Sequence, residues 1–174
     1  MAPKLDFATL DLQDALDLAI LIEEEARERY QQFQKLVGGR YKGDAADVFK
    51  VMAENEGKHH AALVARRTQL FKSAASRVDR AWIEDVEAPD RGTPRVFMGP
   101  RQAFEVALQS EEKAYDFFAA ALPHLNYPQV RALFEELKGE ELQHKKYIQK
   151  LLAGLPPGPD LEEQDADEPG SDGG

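Results

Sequence analysis

The sequence contains no cysteine, which excludes disulfide bonds, thiolate metal sites, iron–sulfur clusters and cysteine nucleophiles. It has no run approaching the roughly 18 apolar residues that a membrane-spanning helix needs. Basic residues are outnumbered by acidic ones, 22 against 32 in 174 residues, and the net charge of −10 argues against nucleic acid as a partner. The N-terminal sequence MAPKLDFATLDLQDALD carries acidic side chains where a secretory signal needs its apolar core, so we expect a cytoplasmic protein.

The acidity is concentrated at the C-terminus. Residues 160–174 hold seven acidic and no basic residues, whereas residues 1–159 hold 25 acidic and 22 basic ones, a net charge of −3. The chain after Gly154 is mostly Pro, Gly, Asp and Glu, a composition that buries too little apolar surface to fold. The sequence therefore predicts a folded domain over residues 1–154 and a disordered tail over 155–174. This tail is either a solvating terminus or a segment that docks a partner.

Four segments show helical periodicity, and none shows the alternation that is typical of a strand. The predicted helices cover about residues 10–37, 44–72, 100–122 and 129–153. About six residues join the first helix to the second and the third to the fourth, which favours two antiparallel hairpins. The predicted fold class is all-α, a four-helix bundle built from these hairpins.

A long crossover, residues 73–99, separates the hairpins. Its 27 residues can span about 90 Å when extended, which is enough to run the length of the bundle and bring the second hairpin beside the first. The same length permits exchange of hairpins between chains, and we expect a homodimer or a larger assembly.

Carboxylates and imidazoles interrupt the apolar stripe of every predicted helix. The first stripe contains Glu23, the third Glu111, and the fourth Glu141 and His144. The second stripe runs from Phe49 to Leu70 and contains Glu56 and His59. Each half of the chain thus reads Glu on its first helix and Glu-x-x-His on its second. With 18 Glu and four His in the chain, fewer than one Glu-x-x-His pair is expected by chance.

An unpaired carboxylate in a core costs several kcal/mol, so buried carboxylates are paired with cations or bind metal. The stripes offer no Lys or Arg at this level, and two divalent ions would neutralise the four carboxylates. Mixed oxygen and imidazole ligands suit iron, manganese or zinc better than calcium. The alternative is that these six residues are solvated or hydrogen-bonded helix residues without a metal.

Two further groups of residues stand near this pattern. Tyr30 lies two turns after Glu23 on the same face, where its hydroxyl could contact the ligands or simply pack in the core. The neighbouring charged residues are interpreted as a solvated face: Glu24, Glu25, Arg27, Glu28 and Arg29.

The segments AILIEEEARERYQQF, MAENEGKHHAAL, FEVALQSEEKAYDFF and LFEELKGEELQHKKYIQKLL resemble the rubrerythrin branch of the ferritin-like superfamily, over about residues 10–153. The resemblance implies a ferritin-like bundle with two iron ions, although manganese or a mixed site is also possible. It further implies that Glu23 and Glu111 are terminal ligands, Glu56 and Glu141 bridges, and His59 and His144 one imidazole per metal.

The chain departs from full rubrerythrins in two respects. It lacks the four-cysteine rubredoxin module, so an electron for turnover must come from a separate donor. In rubrerythrins an exchangeable glutamate lies one turn after the third-helix ligand, and this chain has Ala114 there, with Ala26 at the related position of the first half.

These features predict a di-iron oxidoreductase that oxidises iron(II) or reduces hydrogen peroxide or dioxygen, as a ferroxidase or a rubrerythrin-like peroxidase. Ala114 favours iron oxidation over the peroxidase reaction. Two alternatives stay open: an iron storage or delivery protein that acts with a partner through its acidic tail, and a metal-free helical scaffold.

Overall fold

The computed structural model describes residues 5–156, and within that range it contains four α-helices and no β-strand. The helices are α1 (Leu12–Val37), α2 (Ala45–Phe71), α3 (Pro100–Ala121) and α4 (Pro128–Gly154). Every helix begins and ends within two residues of its predicted bounds, and the all-α fold class is confirmed. None of these helices is long and apolar enough to cross a membrane.

Local chemistry explains where the helices begin and end. Asp11 and Asp44 precede α1 and α2, and their carboxylates accept hydrogen bonds from the backbone N–H groups of Asp14 (2.9 Å) and Asp47 (3.1 Å). The other two helices begin at proline, whose missing N–H costs nothing in a first turn. Gly38 ends α1 with a φ of +64°, a conformation that glycine adopts without strain.

The helices pack as two hairpins. α1 lies along α2 and α3 lies along α4, and the short connections over residues 38–44 and 122–127 make each pair antiparallel. Contacts between α2 and α3, and fewer between α1 and α4, close the bundle.

The core consists of two apolar layers, one toward each end of the bundle. The first layer includes Leu16, Ile22, Leu63, Phe118, Leu133 and Leu137. The second includes Tyr30, Phe33, Phe49, Met52, Ala107 and Ile148. On all four helices the glutamate of the stripe lies between a residue of one layer and a residue of the other. The fold therefore places a polar layer at mid-height, shielded by apolar side chains above and below.

The crossover between α2 and α3 packs against the bundle. It contains a short 3-10 helix, Arg80–Trp82, and buries Ile83, Ala88 and Pro89 against the bundle. The interpretation of Glu25 and Arg29 as part of a solvated face is wrong, because the crossover covers them and leaves them 7% and 3% exposed.

Two other predictions concern Leu70 and the C-terminal tail. Leu70 follows the periodicity of the α2 stripe but is 52% exposed, because its neighbour Phe71 packs against the core at this end of the helix in its place. The predicted division into residues 1–154 and 155–174 stays a prediction, because residues 157–174 lie outside the described part of the chain.

Candidate metal centre

The bundle brings the six predicted residues together as two similar groups. Glu23 on α1 meets Glu56 and His59 on α2, and Glu111 on α3 meets Glu141 and His144 on α4. Within each group, one potential ligand atom from every residue lies within 4.8 Å of the other two. The i, i+3 spacing puts each Glu-x-x-His pair on one helix face, so a hairpin supplies three ligands on its own.

The two kinds of ligand differ in exposure. The four glutamates are only 1–4% exposed, whereas the imidazole side chains of His59 and His144 are 30% and 26% exposed. The carboxylates are therefore in the dry interior, and the imidazoles lie where the site approaches solvent.

The two halves are not equally well hydrogen-bonded. In the second half, Nδ1 of His144 lies 3.1 Å from Oε2 of Glu111 and 3.2 Å from Oε2 of Glu141. In the first half, Nδ1 of His59 is 3.6 Å from Glu23 and 3.5 Å from Glu56, beyond a good hydrogen bond. Both oxygens of Glu56 and Oε2 of Glu23 have no hydrogen-bond partner among residues 5–156.

This crowding of carboxylates changes proton affinities in both directions. Interactions with Glu23 and Glu56 raise the pKa of His59 to about 10. Burial lowers the pKa of His144, but Glu111 and Glu141 outweigh burial and raise it to about 11. Burial raises the pKa of Glu23 well above its usual 4.5, with a further contribution from Glu56. Protonated imidazoles thus supply the positive charge near these carboxylates when no metal is bound.

The imidazoles also join the two halves. The rings of His59 and His144 stack with centroids 4.5 Å apart and planes only 2° from parallel. Since each ring belongs to a different hairpin, the two three-residue groups lie side by side.

A seventh candidate, Glu87 in the crossover, was not predicted from the sequence. Glu87 is 2% exposed and forms two more close groups, one with Glu23 and Glu141 and one with Glu56 and Glu111. Burial raises its pKa well above 4.5, and the charges of the four surrounding glutamates raise it further. No periodicity marks a residue in a non-helical segment, so the sequence pattern gives no signal for Glu87.

Tyr30 and the two alanines occupy the places that the sequence assigned to them. Tyr30 is fully buried, and its hydroxyl makes no hydrogen bond within the described residues. Its ring stacks on Phe49 with centroids 6.2 Å apart, as expected for a core residue. Ala26 and Ala114 are fully buried and offer no ligand, so the fifth carboxylate of the cluster comes from the crossover and not from α1 or α3.

The donor set fits a pair of metal ions. Five carboxylates carry more negative charge than two imidazolium groups can balance, and several buried oxygens lack any partner in the part of the chain that is described. Carboxylate oxygens with one imidazole per half are the donors that iron and manganese accept. An all-α bundle with carboxylates and histidines projecting inward from its four helices is the arrangement that holds two metal ions in dinuclear carboxylate proteins.

Comparison with known proteins gives the family. The family model described as Rubrerythrin matches residues 14–91 and 103–169, which is most of the chain. The chain therefore belongs to the rubrerythrin family, and without cysteine it carries no rubredoxin module. No curated protein matches it.

Two solved structures support the fold. An uncharacterized conserved protein from Magnetospirillum magnetotacticum MS-1 is 22% identical, with a TM-score of 0.68 over 87% of this chain and 100% of that one. A hypothetical protein from Pyrococcus furiosus is 19% identical, with a TM-score of 0.52 over 83% and 89% of the two chains. At these identities the likeness shows the shared bundle and no particular activity.

Proposed function

We propose that this protein is a di-iron oxidoreductase that oxidises iron(II) or reduces hydrogen peroxide or dioxygen. The observation that carries the proposal is the polar layer itself. Two groups of Glu, Glu and His, brought together by different hairpins, lie between two apolar layers with buried oxygens that no described residue satisfies. Membership of the rubrerythrin family supports the same chemistry.

The resemblance to rubrerythrins suggests a role for each ligand. Glu23 and Glu111 would each hold one metal, Glu56 and Glu141 would bridge the two, and His59 and His144 would each bind one. Two iron ions, when bound, supply the electrons that reduce peroxide or dioxygen. Manganese or a mixed pair has the same donor preferences.

The protein itself contributes negative charge, an environment that excludes water, and a route from the site to solvent. The buried glutamates stabilise the positive charge of the metals, and the apolar layers above and below keep bulk water away. The partly exposed imidazoles are the protein groups that exchange protons with solvent when a metal enters or leaves.

Two features bear on the direction of the reaction. Ala114 stands at the position of the exchangeable glutamate, which favours iron(II) oxidation over peroxide reduction. With no cysteine in the chain, repeated peroxide reduction needs an electron donor from another protein or small molecule.

The test is an anaerobic iron(II) titration, followed by separate additions of dioxygen and hydrogen peroxide and observed by optical spectroscopy. Two irons per chain, oxidised faster by dioxygen and then released, would indicate a ferroxidase or an iron carrier. A faster reaction with peroxide and recovery on reduction would indicate a peroxidase. Absence of iron binding would contradict the proposal and favour the metal-free scaffold.

A matched pair of variants gives the control. Glu56→Gln removes a buried carboxylate from the site, whereas Glu54→Gln removes an exposed one two residues earlier on the same helix. Only Glu56→Gln should reduce the iron stoichiometry. Equal loss in both variants would mean that iron binds non-specifically to acidic surface.

A further inference from the structure

We propose that Glu87 is a seventh ligand of the metal centre, delivered by the crossover and able to reach both metal positions. The inference rests on the proposed function, because it takes the six helical residues to be a metal site. It adds a ligand that neither the helical pattern nor the Glu-x-x-His repeat contains.

The first observation is position. Glu87 comes within 4.8 Å of ligand atoms of Glu23 and Glu141, and also of Glu56 and Glu111. Each of these pairs takes one glutamate from each hairpin, so a carboxylate close to both pairs lies between the two halves of the site. A two-oxygen group at that place can bind either metal or bridge the two.

The second observation is that Glu87 is buried with at least one carboxylate oxygen unpaired. It is 2% exposed, and its Oε2 has no hydrogen-bond partner within the described structure. A carboxylate buried in this way, among four others, is destabilising unless a cation joins it.

The third observation is that the backbone on both sides of Glu87 is held in place. The backbone N–H of Asp85 donates to Oε2 of Glu25 (3.1 Å), and its carboxylate accepts from Nη2 of Arg29 (3.0 Å). Nη1 of Arg29 donates to the carbonyl of Pro89 at 2.6 Å. On the side of α3, Nζ of Lys113 donates to the carbonyl of Ala88 at 2.8 Å.

These contacts argue against a purely structural reason for burying Glu87. Ile83, Ala88 and Pro89 are already buried and anchor the crossover, and the polar contacts above fix its path. If position 87 only anchored the crossover to the bundle, an apolar residue would do so better than a glutamate. A carboxylate there is explained by a cation in the polar layer.

A fifth carboxylate also changes the charge balance of the site. Four carboxylates neutralise two divalent ions, and a fifth adds one negative charge that favours more highly charged ions. Glu87 should therefore tighten metal binding and lower the reduction potential of bound iron.

The experiment measures manganese(II) binding to the full chain, read from the electron paramagnetic resonance signal of the free ion. We expect Glu87→Gln to weaken binding about ten-fold or more, and Glu87→Asp, whose carboxylate is one methylene shorter, to weaken it as well. Glu84→Gln should bind manganese(II) as tightly as the unchanged protein does. Glu84 is exposed, and its one ion pair among the described residues is a long contact of 3.9 Å between Oε1 of Glu84 and Nη2 of Arg91. A redox titration of the iron-loaded protein should show a higher midpoint potential in Glu87→Gln.

The outcomes separate this inference from the proposed function. If Glu141→Gln loses manganese binding while Glu87→Gln keeps it, the six-residue site stands and the seventh ligand is refuted. Full affinity in Glu87→Asp would also refute direct ligation, and this variant serves if Glu87→Gln does not fold. If the unchanged protein binds no metal, the proposed function fails first.

Discussion

Replacing Glu56 with glutamine should stabilise the metal-free protein. Ligand atoms of Glu23, Glu87 and Glu111 lie within 4.8 Å of Glu56, and each such pair of charges repels by about 3.5 kcal/mol at an effective dielectric constant of 20. His59, at 3.5 Å, returns about 5 kcal/mol when protonated. The balance is repulsive by roughly 6 kcal/mol.

Proton uptake limits that cost. Protonating one carboxyl of ordinary pKa at pH 7 costs only about 3 kcal/mol, which is less than the repulsion between the charged groups. The cluster therefore binds protons before the full repulsion develops. We therefore expect Glu56→Gln to raise the free energy of unfolding by about 1–3 kcal/mol without metal. In a chain of this size that shift raises the Tm by roughly 3–10 °C.

The assay is urea or thermal unfolding in chelator and again with manganese(II). At a concentration 100 times the Kd, each occupied site stabilises the unchanged protein by about 2.7 kcal/mol, and Glu56→Gln should lose most of this gain. Glu54→Gln, exposed on the same helix, should change neither measurement. The reasoning would be refuted if Glu56→Gln left the metal-free protein equally or less stable. Stabilisation without any metal effect in the unchanged protein would instead support the scaffold.

Three other substitutions test the surrounding fold. Asp44→Ala should cost about 1–2 kcal/mol in urea unfolding at pH 7 through loss of the α2 cap. Burial raises the pKa of Asp44, but hydrogen bonds from four backbone N–H groups outweigh burial and lower this pKa below 3.8. The loss of stability in Asp44→Ala should therefore persist above pH 3.8 and vanish only at lower pH. Arg67→Met should cost about 3–5 kcal/mol in the same assay, because it leaves buried Asp17 without its two hydrogen bonds of 2.7 and 3.1 Å, and adding Asp17→Asn should recover part of the loss. Tyr30→Phe should raise the free energy of unfolding by about 1 kcal/mol, and with it the Tm, since the buried hydroxyl makes no hydrogen bond in the described structure. Slower iron oxidation in this variant would instead assign the hydroxyl a role at the metals.

Helical periodicity carries most of what could be predicted. The apolar stripe of each helix recurs every three or four residues, so a charged residue within the stripe is visible as an exception. Glu23, Glu111 and the two Glu-x-x-His pairs were such exceptions, and the bundle brings all six side chains together.

Prediction was weaker where burial comes from a neighbouring segment. Glu25 and Arg29 look like ordinary surface residues of α1, and only the crossover lying over them makes the pair internal, with Nη2 of Arg29 3.0 Å from Oε1 of Glu25. Leu70 is the opposite case, a residue predicted to be buried that is exposed, because the packing partners at the end of α2 contact Phe71 and not Leu70.

The sequence by itself determined the four helices, their pairing into hairpins and the six helical candidates, because these depend on local spacing and short connections. The tertiary structure alone decided that Glu87 joins them. Its place depends on long-range contacts of Arg29 and Lys113 with a segment that has no period of its own. Spacing along a chain reports which residues share a helix face, but a loop residue reaches the core only through the folded partners that hold it there.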